Sequence, residues 1–164
     1  MGYTTDFRGF FACSKALTPE QNKYLQNFAD TRRMKRDADK AAELLDEVRS
    51  AVGLPIGLDG GYFVGGNGDF GQDQDESVIE YNLPPTEQPG LWCQWVPSED
   101  GTQIVWDGGE KFYHYVEWIE YIIQHFLQPW GITLNGTVEW RGEDWDDTGF
   151  IVINNNEVEV RQRD

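Results

Sequence analysis

The amino-acid sequence predicts an α+β fold, with a single antiparallel sheet of about five strands and two to three helices packed on one face. Three observations carry this. Short aromatic and β-branched stretches recur and are mostly joined by tight turns, as in hairpins. Other segments repeat apolar residues at helical spacing. Helices and strands do not alternate regularly enough for a parallel sheet. The chain has 164 residues, enough to bury a core without disulfide or metal staples. No internal repeat or linker divides it, so the expectation is one domain over 1–164.

Taken in order, Tyr3 to Ala12 reads as a first strand. Thr18-Pro19-Glu20-Gln21 starts a helix: Thr18 can cap, Pro19 suits the first helical position and Gln21 completes a capping box. Tyr24, Leu25 and Phe28 follow at helical spacing and predict a helix over about 19–34. Asp37 or Asp39 can open a second helix, with Ala41, Leu45, Val48 and Val52 as its apolar stripe and Gly53 as its stop. Residues 53–75 are a Gly-rich acidic loop, with one short strand near Tyr62–Val64.

Ser77 to Asn82 reads as extended, and Leu91 to Val96 with Thr102 to Trp106 as a hairpin. Phe112, Tyr115, Val116, Ile119, Ile122, Ile123, Phe126 and Leu127 share one face of the strongest helix, which Pro129 ends. Thr137–Arg141, Gly149–Ile153 and Glu157–Arg161 then read as strands of a sheet with one wet face. The β-α-β-β-α-β portion of this order resembles a ferredoxin-like plait with an inserted helix and the Gly-rich loop.

Charge narrows the function classes. Thirteen Lys and Arg against 29 Asp and Glu leave a net charge of −16. Such a chain repels phosphate backbones and anionic membranes, so direct nucleic-acid or membrane binding is not expected. Residues 1–50 are nearly neutral, while residues 51–164 hold 4 basic and 21 acidic residues. The one basic cluster, Arg32-Arg33-Met34-Lys35-Arg36, is flanked by acids and reads as a solvated helix end. No apolar run reaches a membrane span, and no signal peptide is read at the N-terminus.

Several chemistries have no support. Cys13 and Cys93 are the two cysteines and sit in no metal or redox motif, so both are expected as free thiols. Gly66-Asn67-Gly68-Asp69-Phe70-Gly71 fits G-x-G-x-x-G, but three carboxylates follow where a dinucleotide fold needs a helix N-terminus. His114 and His125 lie about 16 Å apart along one helix and cannot share a metal. No nucleophile elbow, zinc motif or P-loop is present. No cofactor is expected.

What remains is acidity and tryptophan. Seven Trp is a high count, and a buried Trp needs a partner for its N–H, so some are expected at the surface. Trp145, inside the acidic turn Glu143-Asp144-Trp145-Asp146-Asp147, is the best exposed anchor. The expected contact residues for a partner are Asp73, Asp75, Glu76, Glu143, Asp144, Asp146 and Trp145.

The phrases Met1-Gly2-Tyr3-Thr4-Thr5-Asp6-Phe7, Gln88-Pro89-Gly90-Leu91-Trp92-Cys93-Gln94-Trp95, Trp106-Asp107-Gly108-Gly109-Glu110-Lys111-Phe112-Tyr113 and Val138-Glu139-Trp140-Arg141-Gly142-Glu143-Asp144 are distinctive as a set. Together they resemble a family of small acidic bacterial and phage proteins with no assigned activity. The resemblance implies a cytoplasmic bacterial setting. The leading expectation is therefore a non-enzymatic acidic protein that binds a basic protein partner. One version is an inhibitor occupying the nucleic-acid site of a host defence or DNA-handling protein. The alternatives are a sugar- or nucleotide-binding protein or hydrolase using Trp stacking and carboxylates, and a divalent-metal protein using the 143–147 turn.

Overall fold

The computed structural model describes residues 2–65 and 74–162. In chain order its elements are β1 (Asp6–Cys13), α1 (Pro19–Asp30), β2 (Lys35–Arg36), α2 (Ala38–Ala42), α3 (Glu47–Ala51), β3 (Val78–Glu80), β4 (Trp95–Pro97), β5 (Gln103–Trp106), α4 (Tyr115–Ile122), β6 (Leu134–Arg141), β7 (Thr148–Asn154) and β8 (Glu157–Gln162). The fold is α+β. The chain forms two compact units: one from Met1–Leu17 and Gln94–Asp164, the other from the contiguous stretch Thr18–Cys93.

The first unit holds a six-stranded antiparallel sheet in the order β4-β5-β1-β6-β7-β8. The run β4-β5-β1-β6 has the strand order and directions of the expected plait, and β7 and β8 extend it by two strands. The sheet therefore has one strand more than the sequence suggested. Alternation decides its faces. Phe7 and Phe11 of β1, Val138 and Trp140 of β6, and Ile151 and Ile153 of β7 are buried on one side. The other side carries Arg8, Phe10, Thr137, Glu139, Phe150 and Val152.

Phe7 sits among Trp95, Phe112 and Tyr115 at 5.0–5.7 Å between ring centres, in edge-to-face contacts. The Trp95 indole N–H donates to the Tyr115 carbonyl (2.8 Å), so this buried Trp meets its polar requirement. Trp118, Ile119 and Ile122 are buried on α4. After Ile122 the helix widens into one π-turn over 123–127, with the Gln128 N–H donating to the Ile123 carbonyl. Trp118 and Tyr121 of this helix are core, and His125 stacks on Tyr121 at 4.0 Å. His114 is exposed.

At the sheet edge, β7 and β8 join through Asn155 and Asn156, both at positive φ (49° and 70°). This is the two-residue loop whose twist matches that of the flanking strands. Gly149 faces Trp140 across β6 and β7, and the indole lies directly over it, where a Cβ would collide with the ring.

The second unit is poorer in regular structure. Thr18 caps α1 through the expected reciprocal box: the Gln21 N–H donates to Thr18 Oγ1 (3.1 Å), and the Thr18 N–H to Gln21 Oε1 (3.0 Å). Its buried apolar residues include Tyr24, Leu25, Phe28, Ala29, Met34, Ala41, Val48, Phe63, Val64 and Cys93. The only sheet among its described residues is the two-stranded pair β2-β3.

Here the basic cluster overturns the sequence reading. Arg33 and Arg36 are each only 2% exposed. The Arg33 guanidinium donates to the Phe63 (2.7 Å) and Gly61 (2.9 Å) carbonyls and reaches those of Phe28 and the Gln88 side chain. It also lies over the Phe28 ring at 4.1 Å. A unit with so little ladder leaves buried carbonyls without N–H partners, and one planar five-donor fork supplies several. Arg36 lies over the Phe63 ring and donates to Asp75 (2.9 Å) and Ser77 (2.8 Å).

Candidate acidic-tip interface

The seven expected contact residues fall into two sets. Glu143, Asp144, Trp145 and Asp146 come together on the β6–β7 connection of the first unit, and all four are exposed. Asp75 and Glu76 belong to the second unit. Asp73 lies outside the described residues.

The β6–β7 connection is a braced loop. Its last strand pair is Arg141 with Thr148. The Gly142 N–H donates to the Asp147 carbonyl (2.8 Å), and the Asp147 N–H to the Asp144 carbonyl (3.0 Å). The Asp147 carboxylate takes the Trp140 indole N–H (3.0 Å) on one oxygen and the Tyr3 hydroxyl (2.7 Å) on the other. Tyr3 also accepts from the Asp144 N–H (3.0 Å), and the Thr4 N–H donates to the Glu143 carboxylate. Tyr3 is itself held by its N–H to the Tyr113 hydroxyl (3.2 Å). Gly142 has no room for a side chain, because a Cβ would overlap the Asp147 carboxylate and the Tyr3 hydroxyl.

This bracing engages the Glu143 and Asp147 carboxylates in hydrogen bonds within the chain and leaves Asp144, Trp145 and Asp146 at the tip. Trp145 is 90% exposed, the most exposed large apolar side chain described. The local field is negative, and the phenols register it. At Tyr3 the Asp144 N–H pulls the pKa down, but desolvation and the Asp147 and Asp144 carboxylates outweigh it and raise it. Desolvation, with Asp147 next, pushes Tyr115 up to about 12. Both phenols stay neutral at physiological pH.

Asp75 is differently employed. Its carboxylate accepts from Arg36, from the Ser77 N–H (2.7 Å) and from the Ser77 hydroxyl (2.5 Å). Burial works against its ionisation, yet the Ser77 and Arg36 hydrogen bonds prevail and hold it below the usual carboxylate range. Its acceptors are turned to its own unit, while Glu76 beside it is exposed.

The other chemistries find little to work with. No group of three or more His, Cys, Asp or Glu side chains among the described residues is placed to hold a metal ion. In the 143–147 turn, two of the four carboxylates already accept protein hydrogen bonds. An open depression of about 560 Å³ lies at the β4–β5 turn, lined by Ser98, Glu99, Asp100 and Gln103. Asp100 is spent there on Thr102 and Ser98, whose hydrogen bonds lower its pKa. Both cysteines are free thiols, and burial pushes Cys13 up to about 11, far from a reactive thiolate. No described helix is long and apolar enough to cross a membrane.

Sequence reasoning found the tip but missed its frame. Tyr3, Tyr113, Trp140 and Gly142 hold the loop, and no local pattern links position 3 to position 147. The chain matches no family model, no curated protein and no solved structure.

Proposed function

We propose that this chain is a non-enzymatic binding protein that presents the Asp144-Trp145-Asp146 tip to a basic surface of another protein. The observation that carries the reading is Trp145, 90% exposed on a loop whose base is fixed by Tyr3, Trp140 and Asp147. An exposed indole on a floppy loop would lose much of its binding energy to ordering. On a braced loop that cost is largely met before the partner arrives. Trp is enriched among the residues that dominate interface energetics, and carboxylates on either side select a cationic rim. The net charge of −16 steers such a partner in from a distance and repels nucleic acid itself.

A narrower form of the proposal makes the partner a nucleic-acid-binding protein whose basic site the acidic surface occupies, in a cytoplasmic bacterial or phage setting. The test is affinity capture from nuclease-treated bacterial lysate with the wild type, W145A and D144N/D146N, read by mass spectrometry and repeated with the purified partner. A basic protein held by the wild type, lost with W145A and weakened by D144N/D146N is the expected result. Equal capture by all three proteins overturns the assignment of the tip.

A further inference from the structure

The sheet of the first unit ends on one side in β4, three residues closed by Pro97, and on the other in β8, six residues from Glu157 to Gln162. Proline and brevity blunt the first edge. Neither device protects the second. We infer that β8 is a self-pairing edge, on which a second copy of this chain adds its own β8 antiparallel to form one continuous sheet across a two-fold axis.

The hairpin loop sets which backbone groups are offered. Asn154 and Glu157 close the two-residue turn as a hydrogen-bonded pair. Bonded and non-bonded pairs then alternate, so Glu157, Glu159 and Arg161 spend their N–H and C=O on β7. Val158, Val160 and Gln162 turn theirs outward. An incoming antiparallel strand must therefore pair through these three residues.

Charge selects the register. In the sequence, Glu157 and Glu159 precede Val160, and Arg161 and Arg163 follow it at matching spacing. Centring the two-fold axis on Val160 pairs Val160 with its own copy and Val158 with Gln162. It also sets Glu159 opposite Arg161 on the other face, twice. Sliding by two residues in either direction puts Glu159 opposite Glu159, or Arg161 opposite Arg161, and like charges directly opposite are unfavourable. The favoured register satisfies all three outward residues on each strand, with about six hydrogen bonds. It also covers Val160, an apolar side chain 46% exposed in the single chain. Within one chain Glu159 and Arg161 already pair at 3.1 Å, so both side chains stand ready on that face. Exposed ion pairs add little energy, so their role is to choose register while the backbone supplies attachment.

Sedimentation velocity over roughly 1–200 μM tests this on the full chain. The wild type should shift from monomer to dimer with concentration. E159R sets Arg against Arg and R161E sets Glu against Glu, so each alone should be monomeric. An equimolar mixture of the two should dimerise again, because every opposed pair becomes complementary. V160P should abolish the dimer without disturbing the hairpin, since its N–H is not used by β7, and circular dichroism checks that fold is kept. A wild type that stays monomeric throughout overturns the inference, as does a dimer that E159R, R161E and V160P all leave intact. Because the tip is untouched by these variants, partner capture reports on the proposed function separately.

Discussion

Trp145 and Arg33 show how differently two residues with conspicuous sequence settings are used. Trp145 makes almost no contact with its own chain, so W145A should leave stability within about 0.5 kcal/mol of wild type in urea unfolding while abolishing partner capture. Arg33 is the reverse case. R33M would take the guanidinium donors from the Gly61 and Phe63 carbonyls in a dry interior, although Gly61 keeps the Gln88 amide, and should cost about 3 kcal/mol. R36M leaves Asp75 without its cation, but Asp75 keeps some solvent, so about 2 kcal/mol is expected, below the loss for a fully buried pair.

Asp75 also has a pH signature. Its pKa is lower folded than the roughly 3.9 of the unfolded chain, so the folded state binds its proton less readily. The stability it contributes is complete above that unfolded value and is lost as pH falls through the lower folded one. The fall in stability below pH 4 should therefore be shallower in D75N than in the wild type, measured by urea midpoints from pH 5 to pH 2.5. Asp46 acts with opposite sign. Burial raises it despite the Arg49 and Val64 hydrogen bonds, so its contribution declines as pH climbs above the unfolded value.

Among the elements, α1 was legible at its start and not at its end. The Thr18–Gln21 box is a local device, and it forms as its residue types dictate. The helix stops at Asp30 rather than near 34 because Arg33 must turn inward to carbonyls contributed by residues 61–63, a demand no local window contains. The stripe Ala41-Leu45-Val48-Val52 likewise suggested one helix where two short ones form. Leu45 is exposed, and the break places Asp46 inside, where it takes the Arg49 guanidinium (2.6 Å) and the Val64 N–H. The hairpin strands β6, β7 and β8 were read correctly because alternation and the Asn turn are both local. The same logic makes glycines in these strands testable. G149A forces Trp140 off its seat and should cost about 1–3 kcal/mol in thermal unfolding. G142A should instead disturb the brace and weaken partner capture several-fold with a smaller loss of stability.

For the whole molecule, the sequence placed the acidity after residue 50, but structure does not divide the chain there. The unit Thr18–Cys93 contains 7 basic and 14 acidic residues, and the remainder 6 and 15. The excess is shared, which suits long-range steering better than a single charged patch. Association with a basic partner should accordingly slow about tenfold or more between 50 mM and 500 mM salt in stopped-flow measurements, while dissociation, governed by Trp145 and its close contacts, changes much less.

The pairing of β1 also bears on how the chain is made. Asp6–Cys13 leaves the ribosome well before its partners, Gln103–Ile104 and Leu134–Arg141. At roughly 5–20 residues per second, it waits on the order of ten seconds for them. The intervening Thr18–Cys93 unit is contiguous and needs nothing synthesised later for its own contacts. Its internal contacts can therefore form while Phe7, Phe10 and Phe11 are still exposed. The nascent chain passes through a stage with this insert made and an aromatic strand still unpaired, the point in its synthesis where a holding chaperone would matter most.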